Sequence, residues 1–461
     1  MVREAEVSEY GQRVTLDAPA PTVQTHGNPK TFNEMTGSVI SFSPAPPTDS
    51  SKPPYRVQSM AEIAAVPANG YSLVSTFSGC GGSCLGFEMM GYRVLWASEF
   101  VPAAQEVYRL NHPDTILDTR DIRTVTAEDT LAATGLKRGD LDVLEGSPPC
   151  ASFSTAGKRE KDWGKIKAYS DTAQRADDLF FEYVRLLDGL QPKVFVAENV
   201  SGLVKGTAKG YFKRILAAMK ACGYRVEAKL LDAQWLGVPQ MRQRIIFVGV
   251  RNDLGVAPAF PMPLAYRYSV RDALPWITGV EDANGYRGHE FYGIDRPMDT
   301  VQAQRSVRVA VSAYRDNRGA FGNGGDITDQ PSPTVLSDSV GTHWIDETDI
   351  SRYAIGAEWD KLKPGEASDK YFSLKRAPLD GPSPTVSQRG GNGGAATVTH
   401  PTERRKFTIA ELKRICAFPD DFILTGTYAQ QWERLGRAVP PVMMAHVARV
   451  IRDEVLSKCK P

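Results

Sequence analysis

The 461-residue chain is short of several things, and each shortage removes a class of function. No apolar stretch is long enough to span a bilayer, and no leader with a basic start and an apolar middle precedes the first charged residues, so the protein is expected to stay in the cytoplasm where it is made. Cysteine is sparse: six residues at 80, 84, 150, 222, 416 and 459 are too scattered for a disulfide scaffold, and none is grouped with histidine at zinc-site spacing, so no metal is expected. Net charge is nearly absent as well, at +1. That balance neither requires nor forbids a nucleic acid partner, because a basic groove can lie opposite an acidic face.

What remains is an ordinary globular composition, 42% hydrophobic and 24% charged, in a chain long enough for two or three domains. Residues 1 to 68 show little periodicity, with PAPPTDSSKPP at 44–54 as the clearest linker, and read as an accessory N-terminal arm. From Tyr71 strands and helices alternate: SLVSTF, RVLWASEF, LDVLEG and KVFVAENV are apolar strands, and YRVEAKLLD with RIIFVGV is spaced as an antiparallel pair. Continuous apolar strands between helices predict an α/β fold, a mostly parallel Rossmann-like sheet covered on both faces. Residues 69–254 form this domain. Residues 255–395 are loop-rich, with three related turns, DRPMDTV at 295–301, DQPSPTV at 329–335 and DGPSPTV at 380–386, expected as similar strand starts in one small domain. Helical texture returns in 396–461. There Val442, Met443, His446, Val447, Val450 and Ile451 can share one apolar face that packs back on the first domain.

Ligands of such sheets collect beyond the carboxyl ends of the strands. The glycine-rich turn FSGCGGSCLGF at 77–87 falls there, and so do Glu99, Cys150 and Glu198. No Gly-Lys-Ser/Thr follows the glycines, which sets the turn apart from a nucleotide phosphate loop. An acid ending the second strand, Glu99, can accept both hydroxyls of a ribose, and Asp121 after the third can receive an exocyclic amine. Glycine turn, ribose acid and amine acceptor in this order suit S-adenosylmethionine about as well as NAD.

LDVLEGSPPCASFS at 141–154 is the stretch that favours a reaction. Two prolines hold the chain extended and remove two donors, so Cys150 is presented on a stiff turn; a small apolar residue packed at a strand end is the plainer reading. Glu198 ends the neighbouring strand. A charge ending an apolar strand has either a task or an arginine partner. Arg242 and Arg244 alternate with Gln243 and leave one face of their strand, where they can lower a thiol pKa or anchor a phosphate or a base carbonyl.

Together these pieces resemble the DNA cytosine-5 methyltransferases. FSGCGGSCLGF resembles the family's first motif, SPPCASFS its nucleophile loop, ENVSGL at 198–203 its glutamate motif and GVPQMRQRIIFVG at 237–249 its glutamine-arginine-arginine motif. ERRKFTIAELKRICAFPDDF at 403–422 is similar to the ninth motif and GRAVPPVMMAHVA at 436–448 to the tenth. Ala151 stands where the family most often has glutamine, and Arg437 where it usually has asparagine.

The resemblance implies methyl transfer from S-adenosyl-L-methionine to C5 of a flipped-out cytosine in duplex DNA. It implies Cys150 as the nucleophile at C6, Glu198 at N3 and the exocyclic amine, Arg244 at the base carbonyl, and Arg242 ordering the pocket or a phosphate beside it. It places Phe77, Ser78, Gly79, Gly81, Gly82, Leu85, Glu99, Phe100, Asp121, Ile122, Pro149, Leu179, Ala438 and Val439 around the cofactor. Residues 255–395 are implied as the target-recognition domain. DNA contacts are expected from Ser154, Lys158, Arg159, Lys161, Lys165 and Lys167 in a closing loop, from Gln240, and from Arg305, Arg308, Arg315, Arg318 and Arg389 in the recognition segments. IDETD at 345–349 is expected to face away. A monomer, with a restriction endonuclease reading the same site as its partner, completes the expectation. A structured-RNA methyltransferase, a catalytically silent DNA-binding relative and an NAD-dependent dehydrogenase are the alternatives.

Overall fold

The computed structural model describes residues 52–149, 167–169, 172–174, 179–204, 208–277, 314–315, 343–344 and 347–459. Its centre is a seven-stranded sheet of β1 (Ser72–Thr76), β2 (Arg93–Ser98), β3 (Ile116–Asp118), β4 (Val143–Gly146), β5 (Val194–Val200), β6 (Tyr224–Asp232) and β7 (Gln243–Arg251), in the order β3-β2-β1-β4-β5-β7-β6. The first five strands run parallel. β7 runs antiparallel to both β5 and β6, and so slots between them. The β6 and β7 pair was legible as antiparallel; the insertion of β7 beside β5 was not, and it is what brings Arg244 opposite Val200, next to Glu198.

Both faces of the sheet are covered, which is why β4 and β5 are mostly apolar, with Glu145, Glu198 and Asn199 as their polar residues. On one face α3 (Leu179–Leu190) and α4 (Ala208–Ala221) bury Phe180, Tyr183, Leu187, Phe212 and Ile215 against Phe195 and Phe247. On the other, α1 (Gly82–Glu88) and the late helix α8 (Pro441–Val450) bury Cys84, Phe87, Met443, Met444 and Val447 against Leu73, Val143, Val194 and Val196. Each such large apolar side chain contributes about 1.5–3 kcal/mol when fully buried. A side chain at Gly86 would forbid this contact. A Cβ there would lie 2.5 Å from the Pro441 carbonyl oxygen and 2.7 Å from the Met444 Cβ, so α1 and α8 meet nearly backbone to backbone.

The apolar face of α8 is wider than the expected one. Met444, Ala445 and Ala448 are buried with Met443 and Val447, whereas Val442, His446 and Val450 are half-buried, because the helix is packed from two sides. Residues 270–277 and 377–445 form a further core around Leu412, Ile415, Phe418 and Trp432. A small separate cluster of Ile350, Ile355, Trp359, Leu362 and Leu374 has the Arg376 guanidinium 3.8 Å above the Trp359 ring. The turn DGPSPTV does not start a strand of an independent domain. The Ser383 amide donates to the Pro239 carbonyl at 2.9 Å and the Met241 amide to the Ser383 carbonyl at 2.8 Å, so the turn is stitched to the approach to β7. The other two turns lie outside the described residues. Among the described residues no helix is long and apolar enough to cross a membrane.

Candidate active site

The cofactor side begins where β1 ends. Phe77 takes a left-handed φ of 55°, unusual for a bulky residue, and Gly79 and Gly81 follow at 59° and 91°. This tight path turns the Gly79 amide onto Glu99, whose carboxylate accepts it at 2.8 Å and the Val101 amide at 2.7 Å. Gln105 donates to the Glu99 carbonyl and fixes the strand end. Burial pushes the Glu99 carboxyl up, and the two amides pull it back toward the charged form. A carboxylate so held still has lone pairs for a vicinal diol. The loop fits an adenosine cofactor: a Cβ at Gly79 would meet nothing within 4 Å, whereas one at Gly81 would lie 2.0 Å from His112 Nε2, so the loop rests on its floor and is open above.

Other expected cofactor residues divide. Phe100, Pro149 and Ala438 are half-buried, and Ser78, Ile122, Gly82 and Val439 are buried around the same strand ends. Leu85 and Leu179 are corrections: both have no exposure and pack in the hydrophobic cores, leaving no surface for a ligand. Asp121 caps its own turn, accepting the Arg123 amide at 3.0 Å and pairing with the Arg123 guanidinium at 3.1 Å.

On the chemical side β4 and β5 lie side by side, Gly146 opposite Ala197. Cys150 lies outside the described residues, but the turn leading to it is held up to Pro149. The Ser147 amide donates to the Thr76 carbonyl, and the Asn199 side-chain amide donates to the Pro148 carbonyl at 3.1 Å. Asn199 went unremarked in the sequence although ENV pointed to it; it ties the glutamate strand to the nucleophile turn. One residue earlier, Glu198 receives Arg244 Nε at 2.6 Å, and Arg244 also donates to the Gln243 carbonyl. Burial raises the Glu198 carboxyl, opposed by Arg244 and then Arg242; burial lowers Arg244, opposed by Glu198. The pair is therefore a buried charge couple at a strand end, able to meet a base that brings both a donor and an acceptor.

Gln240 was expected to contact DNA, and Arg242 to order the pocket or a phosphate beside it. Arg242 is 1% exposed and donates to the carbonyls of Val386, Gly436 and Arg437. Gln240 has no exposure and donates to Cys416 Sγ at 3.2 Å; it is not a DNA contact in this arrangement. Segments that arrive from far along the chain cover both, which strand alternation cannot reveal. Arg437, standing in the asparagine position, pairs with Glu433 while its carbonyl receives Arg242.

Ser154, Lys158, Arg159, Lys161, Lys165, Arg305, Arg308 and Arg318 lie outside the described residues, as does the Lys167 side chain. Arg315 is described in backbone only, in a two-residue strand, Tyr314–Arg315, antiparallel to His343–Trp344. Arg389 is exposed. No group of three or more metal-ligating side chains occurs among the described residues. Two further polar residues of the site, Ser75 and Glu145, were missed, although an acid inside the apolar run LDVLEG was a signal.

The chain is 29% identical over 394 residues to the Type II methyltransferase M.XorII of Xanthomonas oryzae pv. oryzae, covering 83% of this chain and 84% of that protein. It is 28% identical over 386 residues to the Type II methyltransferase M.NgoPII of Neisseria gonorrhoeae, covering 83% and 96%. Its fold is similar to a solved structure described as a DNA modification methyltransferase encoded within an E. coli prophage, with a TM-score of 0.58 at 19% identity over 84% of this chain and 99% of that one. The model of the family described as C-5 cytosine-specific DNA methylase matches residues 71–453, and the chain belongs to that family as an S-adenosyl-L-methionine-dependent DNA (cytosine-5-)-methyltransferase.

Proposed function

We propose that Cys150 adds to C6 of a flipped-out cytosine, that Glu198 holds the proton at N3 and that Arg244 meets the base carbonyl. The observation that carries this reading is the Glu198–Arg244 pair at 2.6 Å, beside a turn that Asn199 holds to within one residue of Pro149 and the following Cys150. C5 of cytosine is a weak nucleophile; a thiolate at C6 turns the ring into an enamine whose C5 can attack. Glu198 and Arg244 stabilise the charge that then develops on N3 and the carbonyl. S-adenosyl-L-methionine supplies the methyl group, held at the loop by Glu99 and the glycines. A base such as a water then takes the C5 proton, its bonding pair re-forms the C5–C6 double bond, and the C6–sulfur bond breaks to release the product and return Cys150 as the thiolate. Because C6 is covered in a stacked duplex, the base must leave the helix first.

In this reading residues 69–254 with 396–461 form the catalytic domain, and 255–395 read the DNA through Arg305, Arg308, Arg315, Arg318 and Arg389. The protein acts as a monomer in the cytoplasm, and an endonuclease reading the same site is the partner in keeping with its Type II relatives. Bisulfite sequencing of unmethylated genomic DNA after incubation with the protein and S-adenosyl-L-methionine tests it. Protection of cytosines in one short motif is expected, and the motif should change when 255–395 is exchanged for a relative's segment; no protected cytosine despite bound cofactor overturns DNA as the substrate. Replacing Lys158, Arg159, Lys161 and Lys165 by glutamine should weaken DNA binding and reduce the slope of log K against log salt by roughly 0.9 for each phosphate that is no longer neutralised. An unchanged slope removes this loop from the interface.

A further inference from the structure

The chemistry above uses two acidic side chains at strand ends, the half-buried Glu99 and the buried Glu198, and among the described residues a third lies beside them. The third, Glu145, is 1% exposed in the middle of the sheet, with Ser75 of β1 on one side and Val196 of β5 on the other. One carboxyl oxygen is 2.6 Å from Ser75 Oγ, which is itself 2.9 Å from Ser78 Oγ in the cofactor loop. The other oxygen lies 3.4 Å from Ser147 Oγ, in the turn that leads to Cys150. The buried hydroxyl of Ser83 in α1, which makes no hydrogen bond among the described residues, is near enough to this carboxyl to favour its charged form.

We propose that Glu145 is a positioning residue of the methyl-transfer site, joining the cofactor loop to the nucleophile turn as a neutral carboxylic acid. The proposal rests on the reading of Cys150 as nucleophile. The surroundings favour the neutral form below about pH 7. Around the carboxyl are the hydroxyls of Ser75, Ser83 and Ser147, the thiol of Cys84 from α1 and the acid of Glu198 from β5, while the phenol of Tyr183 lies across the sheet on the Leu144 and Val196 carbonyls. Among the described residues no basic group pairs with it, and Arg244 is already engaged by Glu198. Glu198 stands two residues beyond Val196, the strand partner of Glu145, so both carboxyls leave the same face. Burial, with the negative charge of Glu198 adding to it, pushes Glu145 up to about 7. With its proton the side chain donates at one oxygen and accepts at the other. Without it, a second negative charge sits beside Glu198 and near the turn where a thiolate must form, and that charge opposes both.

Glu145→Gln keeps the shape and a donor but cannot ionise; Glu145→Ala breaks the link. The first measurement is urea unfolding of the full chain from about pH 5 to about pH 8. The folded chain holds this proton more tightly than the unfolded chain, so the stability it provides is complete below the unfolded carboxyl range and lost as pH rises through about 7. Wild type should therefore lose more stability across that window than the glutamine variant. The second is single-turnover methylation at saturating cofactor and DNA. The ratio of wild-type to glutamine-variant rate should fall about threefold or more between about pH 6 and pH 8, and the alanine variant should be slower by tenfold or more throughout. Parallel unfolding curves for wild type and Glu145→Gln, or rate profiles of one shape, overturn the proposal. If wild type methylates no DNA, the reading of Cys150 fails, and the unfolding comparison still decides whether Glu145 carries the proton.

Discussion

Cys150→Ser lowers methyl transfer by more than about a thousandfold while cofactor affinity stays within about twofold of wild type. The two halves of this result come from different parts of the fold. In the proposed reading Glu99, the Gly79 amide and the β1 turn hold the cofactor, and this arrangement does not depend on Cys150, since Glu99 is held by Gly79 and Val101. The nucleophile, by contrast, has no deputy: a serine hydroxyl in the same place is far less acidic than a thiol, and no histidine neighbours Cys150 in the chain to activate it. The readouts are tritium transfer from labelled S-adenosyl-L-methionine, equilibrium cofactor binding, and a gel shift stable to denaturant with a 5-fluorocytosine duplex. Wild type should form the stable adduct and the serine variant none. Transfer at the wild-type rate, or an adduct in the serine variant, removes Cys150 from the reaction.

That prediction was available from the sequence because its residues sit at strand ends, where position along the chain and position in space coincide. Apolar runs gave the strands, and the charged residue ending each run gave Glu99 and Glu198. The partnership of Glu198 and Arg244 was half legible: alternation placed Arg242 and Arg244 on one face, but only the insertion of β7 between β5 and β6 puts Arg244 against the glutamate. What could not be read is depth. Arg242 and Gln240 belong to the same motif and the same edge, yet Val386, Gly436, Arg437 and Cys416 arrive from far along the chain and seal them in. Leu85 and Leu179 fail for the complementary reason, because a helix side chain next to a ligand loop and one turned into the core look alike in a string of letters. Glu145 escaped notice inside a strand read as apolar, and its serine partners look like ordinary strand and turn residues until the sheet pairs them.

The buried position of Arg242 leads to the second large effect, on folding and on the cofactor loop together. Arg242→Leu should lower the stability of the chain by about 3 kcal/mol or more, at about 1–3 kcal/mol for each of the three main-chain carbonyls that now share one guanidinium and would be left without it. These carbonyls belong to separate pieces: Val386 follows the turn stitched to residues 239–241, and Gly436 and Arg437 begin the segment that carries Ala438 and Val439 to the cofactor side. Burial, and then Arg244 nearby, pull the Arg242 guanidinium down to about 9 against the opposing pull of Glu198 and Cys416, so it stays charged at neutral pH. Arg242→Lys is no remedy, since one ammonium cannot span the three acceptors as a planar fork does. A staple and a phosphate contact predict different data. If Arg242 is a staple, the leucine variant shows a lower melting temperature and weaker S-adenosyl-L-methionine binding without DNA, and the salt slope of DNA binding by the fraction that folds is unchanged. If Arg242 reaches a phosphate, stability is untouched and the slope drops by roughly 0.9. Differential scanning calorimetry with cofactor titration separates the two, and an unaltered melting temperature rules out the staple.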